Sequence, residues 1–172
     1  MILKLLTLAH VVISLAGIFS GFVVLFGLLA SKGLDRWTAL FLTTTVATSV
    51  TGFFFPVHQF MPSHAVGILS LIVLSAAIYA RYARHLAGAW RKIFVVTAVI
   101  ALYFNVFVGI VQAFLKVPAL KALAPTQTET PFKLTQLLVL AAFVVLGIVA
   151  AIRFHGDPAA VREVPVKDAS LV

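Results

Sequence analysis

The sequence predicts an all-α fold, a polytopic transmembrane helical bundle of about five spans with its N-terminus outside and its C-terminus inside. Three observations carry this. Hydrophobic residues make up 62% of the 172-residue chain and charged residues 10%, too little charged surface to cover a water-soluble globule of this size. The apolar residues gather into runs that approach or exceed the ~20 residues a helix needs to cross a ~30 Å hydrocarbon core. None of these runs contains a carboxylate, because Asp35, Glu129, Asp157, Glu163 and Asp168 all fall between runs or in the tail.

The predicted spans are residues 5–30, 37–55, 64–80, 93–115 and 134–152, each bounded by charge, proline or glycine. Together they form a bundle over 1–152, followed by a mobile cytoplasmic tail over 153–172 that contains Pro158 and Pro165. The first run follows Lys4 and has 26 residues, well beyond the roughly 7–15 of a signal-peptide core, so it reads as a retained helix. No charge occurs between Trp37 and Ala80, yet Pro56 and Pro62 enclose the polar stretch Val57-His58-Gln59-Phe60-Met61. That pattern predicts a helical hairpin with a tight turn, Ser63 capping the third helix. Between the last two spans, Pro118, Pro125 and Pro131 punctuate a connection whose Val117, Leu120 and Leu123 suit a short amphipathic turn on the bilayer.

Orientation follows from the basic residues. Nine of the 13 (Lys32, Arg36, Arg81, Arg84, Arg91, Lys92, Arg153, Arg162 and Lys167) fall on one side of a five-span chain, against Lys4, Lys116, Lys121 and Lys133 on the other. Cytoplasmic loops retain excess Lys and Arg, so the side with nine is predicted to be inside. Trp37, Tyr79, Tyr82 and Trp90 fall at helix ends on that same side, at headgroup level.

Composition also excludes functions. The net charge of +8 is distributed between apolar runs instead of lining one face, which argues against nucleic-acid binding. A chain without cysteine forms no disulfide, thiolate zinc site, Cys-held iron–sulfur cluster or thioether-linked haem. With no intramembrane carboxylate, proton-coupled transport and aspartyl proteolysis lose their usual group. No catalytic residue is identified and enzyme activity is not expected, save through a bound cofactor.

Candidate sites lie where polar side chains enter the spans. The fourth span carries Thr97, Ala101, Asn105, Gly109 and Gln112, spaced by four, four, four and three, hence on one face, with Phe104, Phe107 and Phe114 expected elsewhere. The first contains Gly17-x-x-x-Gly21 and the second Thr44, Thr48 and Gly52. As helix-packing surfaces these are Gly17, Gly21, Thr44, Thr48, Gly52, Thr97, Ala101 and Gly109, with small residues permitting close approach. Histidines are more suggestive. The topology brings His10, His58 and His64 to the outer half with Gln59, Gln112, Thr135 and Gln136, while Asn105 lies deeper. The candidate ligand-binding cluster is therefore His10, His58, His64, Asn105, Gln112 and Gln136. His85 and His155 read as solvated surface, and no spacing supports a metal site other than axial ligation of haem by His10 with His58 or His64.

The segments Thr51-Gly52-Phe53-Phe54-Phe55-Pro56, Pro62-Ser63-His64-Ala65-Val66-Gly67-Ile68-Leu69-Ser70 and Ala124-Pro125-Thr126-Gln127-Thr128-Glu129 resemble small bacterial inner-membrane proteins of no assigned activity. The resemblance covers Thr45 to Gln136. It implies a bacterial source, a multi-pass inner-membrane location and a helical bundle, and it transfers no functional residue.

The leading expectation is thus a non-enzymatic membrane protein, structural or small-ligand-binding, as an accessory subunit of a membrane complex or a homo-oligomer, with the lipid bilayer as its surroundings. Its rivals are a small redox protein holding b-type haem or a quinone, and a passive channel or carrier.

Overall fold

The computed structural model describes residues 2–55 and 62–155, and among them every regular element is helical. The helices are α1 (Ile2–Leu29), α2 (Asp35–Gly52), α3 (Pro62–Ile78), α4 (Trp90–Lys116), α5 (Pro118–Leu123) and α6 (Thr130–Arg153). Four of them, α1, α3 with its continuation to Ala83, α4 and α6, are long and apolar enough to cross a membrane. The protein is an all-α helical bundle.

The span expected over residues 37–55 is a helix of a different kind. α2 has 18 residues, opens on Asp35-Arg36 and contains seven Ser and Thr, so it lacks the apolar content of the other four. Three of its hydroxyls turn fully inward: Thr38, Phe41, Leu42, Thr45 and Ser49 are its buried residues, at the i, i+3, i+4 spacing of one face, while Thr43 is exposed. Leu40 and Val50 stay exposed. A helix that hides hydroxyls and shows aliphatics suits an apolar exterior, where its polar groups find partners only inside the bundle.

Helices α6, α1, α2 and α3 succeed one another around α4, which contacts α1, α3 and α6 and supplies the most buried residues. The core joins Leu25, Phe41, Leu74, Phe94, Val95 and Leu102 from four helices. Outward faces are apolar too, with Leu5, Leu8, Leu15 and Phe19 exposed on α1 and Leu137, Leu138, Val145 and Ile148 on α6. Helices apolar all round, in a chain this poor in charge, are those of a multi-pass membrane protein.

Close approach of α1 depends on its glycines. A Cβ on Gly21 would sit 2.5 Å from Leu102 Cδ1 and 2.9 Å from the Phe41 ring, and one on Gly17 would sit 3.2 Å from Thr44 Oγ1 and 3.4 Å from Asn105 Nδ2. The Gly17/Gly21 pair therefore meets α2 and α4 within the bundle.

Contacts between segments distant in sequence hold the end of the bundle where α1 finishes. Asp35 and Arg81 form an ion pair, with the Arg81 guanidinium 5.2 Å from the Phe94 ring centroid. The His155 amide donates to Ser31 Oγ at 3.1 Å, and Arg91 donates to the His155 carbonyl at 2.7 Å. Phe154 is buried, so the chain stays packed beyond residue 153, where a mobile tail was expected to begin. Likewise His155, read from sequence as solvated, is exposed yet tied by its backbone to Ser31 and Arg91.

Helix starts differ from expectation in one detail. α3 begins at Pro62, so Ser63 falls within the first turn, not at the cap; proline has no N–H to satisfy and a backbone angle already suited to a first helical position. The amphipathic turn expected after the fourth span is the short helix α5.

Candidate functional site

At the opposite end, α1, α2, α3 and α4 enclose a cavity of about 640 Å³. His10, His64, Asn105 and Gln112 all line it, as do Gly52 and Gly109, so four of the six residues expected in a ligand-binding cluster share one space. Its lining extends from Thr7 to Ile18 on α1, a depth of about 16 Å along the helix. His58 and Gln59 lie outside the described residues.

Helical register explains how the polar side chains meet. On α1, His10 and Ser14 are one turn apart, and the Ser14 hydroxyl donates to the His10 carbonyl at 2.7 Å while lying 3.3 Å from Thr48 Oγ1. On α2, Thr48, Ser49 and Gly52 line the cavity. Ser49 donates across to Ser70 of α3 at 3.1 Å, and Asn105 of α4 donates through Nδ2 to Thr45 of α2 at 3.0 Å. Each bond satisfies polar groups that lipid could not.

The hydrogen bonding of Thr51 specifies the tautomer of His10. The Thr51 hydroxyl proton goes to a carbonyl of its own helix, that of Ala47 at 2.7 Å or Thr48 at 3.2 Å. Its oxygen is then left to accept from His10 Nδ1, 2.8 Å away. With the proton on Nδ1, Nε2 of the neutral ring carries an acceptor lone pair. The ring sits edge-on to Phe55 at 5.1 Å, and its Cε1 lies 3.8 Å from the position of a Cβ on Gly52, so the missing side chain leaves the imidazole room.

His64 packs its ring 5.6 Å from that of Phe53, and a Cβ on Gly67 would stand 3.2 Å from the same phenyl. Lys116, at the last turn of α4, puts the cavity's single described ammonium at its rim. Among the described residues no carboxylate lines the space, and no three His, Asp or Glu side chains group closely enough to hold a metal ion.

Two expectations are corrected. Gln136 does not line the cavity: it sits in the seam between α6 and α4, donating to the Phe107 carbonyl at 3.3 Å with its Oε1 buried and unpartnered. α6 contacts α4 and α1, whereas α2 and α3 close the cavity, so equal depth in the membrane did not bring Gln136 into it. Phe104, expected to point away from Asn105, lines the cavity as well, because the space is wide enough to meet two adjacent positions 100° apart on α4.

Sequence reasoning missed Ser14, Thr51 and Ser70. Ser14 was signalled by its i+4 relation to His10, but Thr51 and Ser70 acquire their partners only when α2 meets α1 and α3. Thr97 and Ala101, on the same α4 stripe, lie below the cavity: Thr97 bonds the Ile93 carbonyl at 2.7 Å, and Ala101 is fully buried. No protein-family model, curated protein or solved structure matches this chain, and the chemistry of the cavity is read from its own residues.

Proposed function

We propose that this is a non-enzymatic, multi-pass protein of the bacterial inner membrane that binds a small uncharged organic molecule in the cavity between α1, α2, α3 and α4. The observation that carries this reading is the convergence of His10, Ser14, Asn105 and Gln112 on one cavity of ligand size, with no carboxylate among its described lining residues. A ligand oxygen that donates a proton would meet the lone pair of His10 Nε2, and the remaining amide protons of Asn105 and Gln112 would serve its acceptors. Binding suits the cavity better than conduction: below Ile18 and Asn105 the bundle closes on Phe41, Leu74 and Leu102, each no more than 1% exposed.

Mass spectrometry of organic extracts from protein purified in mild detergent tests the proposal. One small molecule should co-purify in near-equal amount with the wild-type chain and be lost from Gly52→Leu, whose added side chain enters the cavity beside His10. An extract without such a molecule, or one unchanged by Gly52→Leu, would refute it.

A second reading, a quinone or b-type haem, draws on the unprotonated Nε2 of His10, which suits a quinol hydroxyl or a ferric axial position equally. A Soret band or co-extracted quinone in the same sample selects it. The five-span topology, with α2 spanning and the N-terminus outside, belongs to the same proposal and rests on the nine-to-four division of basic residues. Because the chain has no cysteine, single cysteines introduced at Lys4 and Arg84, which lie on opposite sides only if α1, α2 and α3 all span, report it directly. Impermeant maleimide should label the first and not the second in intact cells.

A further inference from the structure

We propose that the groove between α4 and α6 holds one anionic glycerophospholipid, with its phosphate on Arg91 and Lys92 and one acyl chain lying along the two helices. The groove has a volume of about 680 Å³ and is separate from the polar cavity. Its walls are aliphatic and aromatic, among them Val96, Val99, Phe143 and Ile148, from the first turn of α4 to Tyr103. Arg91, Lys92 and His155 line only the end where α4 begins and α6 finishes. Apolar walls with cations confined to one end match the division of a lipid into tail and headgroup.

Length agrees with that occupant. From Arg91 to Tyr103 is 12 residues, about 18 Å of helix. One leaflet contributes about half of a ~30 Å hydrocarbon core, so a single acyl chain anchored at the basic end runs the groove to the bilayer midplane.

Charge selects an anionic headgroup. Among the described residues no carboxylate lines the groove, and the one ion pair among them engages Asp35 and Arg81, not these cations. Arg91 is held by its bond to the His155 carbonyl, while its Nε is buried with no partner, an unusual state for so strong a donor. α4 also starts at Trp90 without a side-chain cap from Ala89; the Trp90 amide bonds the Ala87 carbonyl, which leaves the Arg91 and Lys92 amides at the same end. A phosphate diester supplies acceptors to the terminal nitrogens of Arg91, the Lys92 ammonium and these amides. A second copy of this chain is the poorer occupant, since its apolar faces bring no carboxylate to neutralise Arg91 and Lys92.

Native mass spectrometry after reconstitution into vesicles of equal phosphatidylglycerol and phosphatidylcholine tests the site. The wild-type protein should leave the bilayer carrying one phosphatidylglycerol. Lys92→Gln should lower its occupancy about fivefold and the Arg91→Gln/Lys92→Gln pair about thirtyfold, since each cation near a bilayer surface contributes about that factor. Ile148→Trp, at an exposed position that fills the groove and leaves the charges alone, should displace the lipid while the melting temperature holds, which guards against reading misfolding as lost binding. Equal retention of phosphatidylcholine, or occupancy indifferent to both the charge and the groove variants, overturns the proposal. So does a protein dimer that Ile148→Trp dissociates, which would give the groove to a second copy.

Discussion

Two concavities of nearly equal size, about 640 and 680 Å³, lie at opposite ends of this bundle and share α4, yet their walls have little in common. The first has hydrogen-bonding groups on all four of its helices. Around the second the cations are confined to one end, and Tyr103 lies at the other. The difference originates in the helices opposite α4: α2 brings inward-facing Thr and Ser to the cavity, whereas α6 lines the groove with aliphatic side chains and Phe143. In an apolar solvent a polar side chain is costly unless paired, so polar groups gather where several helices can pair them, and a two-helix seam is left to hydrocarbon.

Identical glycine substitutions should separate the two regions most. At Gly21 an added methyl meets Leu102 and Phe41, both 1% exposed and unable to move aside, so Gly21→Ala should cost about 1–3 kcal/mol by overpacking. Gly147 of α6 stands opposite Val99, with 3.3 Å between the added Cβ and Val99 Cγ1. There the strain is mild, and the helix gains up to ~1 kcal/mol from alanine, so Gly147→Ala should fall within ~1 kcal/mol of wild type. Thermal unfolding in detergent reads both, and equal effects would show that α1 packs no more closely than α6.

The polar cavity should respond to loss of a single acceptor. His10→Leu removes Nε2 and the bond to Thr51 together, and ligand occupancy should fall about tenfold, which corresponds to ~1.4 kcal/mol for a buried hydrogen bond to a polar ligand. The same substitution should leave lipid in the α4–α6 groove unchanged. Were both ligands lost together, the two sites would be one coupled unit.

A smaller effect tests whether interhelical hydroxyl bonds help shape the first region. Ser49→Ala and Ser70→Ala each delete one side of a 3.1 Å bond between α2 and α3. A double-mutant cycle should return a coupling of ~0.6 kcal/mol, the average for such bonds in membrane bundles. A coupling of zero would assign the α2–α3 contact to shape alone.

The two regions were also unequally legible in the sequence. Apolar runs bounded by charge located the five long helices, and counting depth along them placed His10, His64, Asn105 and Gln112 together, because antiparallel helices convert sequence position directly into height. Height says nothing of direction around an axis. Gln136 has the right height but belongs to a helix on the other side of α4, and Phe104 shares the cavity although the stripe pattern excluded it. The α4–α6 groove was harder still. Arg91, Lys92 and His155 read as ordinary flanking charge, and only the return of the chain past Arg153, with Phe154 buried, brings His155 onto Arg91. α2 shows a third limit: its Thr and Ser lower its apolar content, and only tertiary contacts reveal that they face inward.

The smallest effect concerns the connection that leads from the polar end into α6. Glu129 precedes the first turn of α6, and its carboxylate accepts from the Thr126 amide at 3.1 Å, the Thr126 hydroxyl at 2.8 Å and the Thr128 amide at 3.0 Å. Slight withdrawal from water, which alone would raise its pKa, is outweighed by these bonds, so the carboxyl titrates below its ordinary range. A depressed folded-state pKa means that the contribution to stability is complete above the pKa of the unfolded chain and disappears as pH falls through the lower, folded value. Amide hydrogen exchange at Thr126 and Thr128 should therefore show protection beyond the intrinsic rate at neutral pH that declines as the pH falls below the ordinary carboxyl range. Glu129→Gln should show the reduced protection at every pH. If the polar cavity and the groove are independent, neither ligand's occupancy should follow this titration, since Glu129 lines neither space.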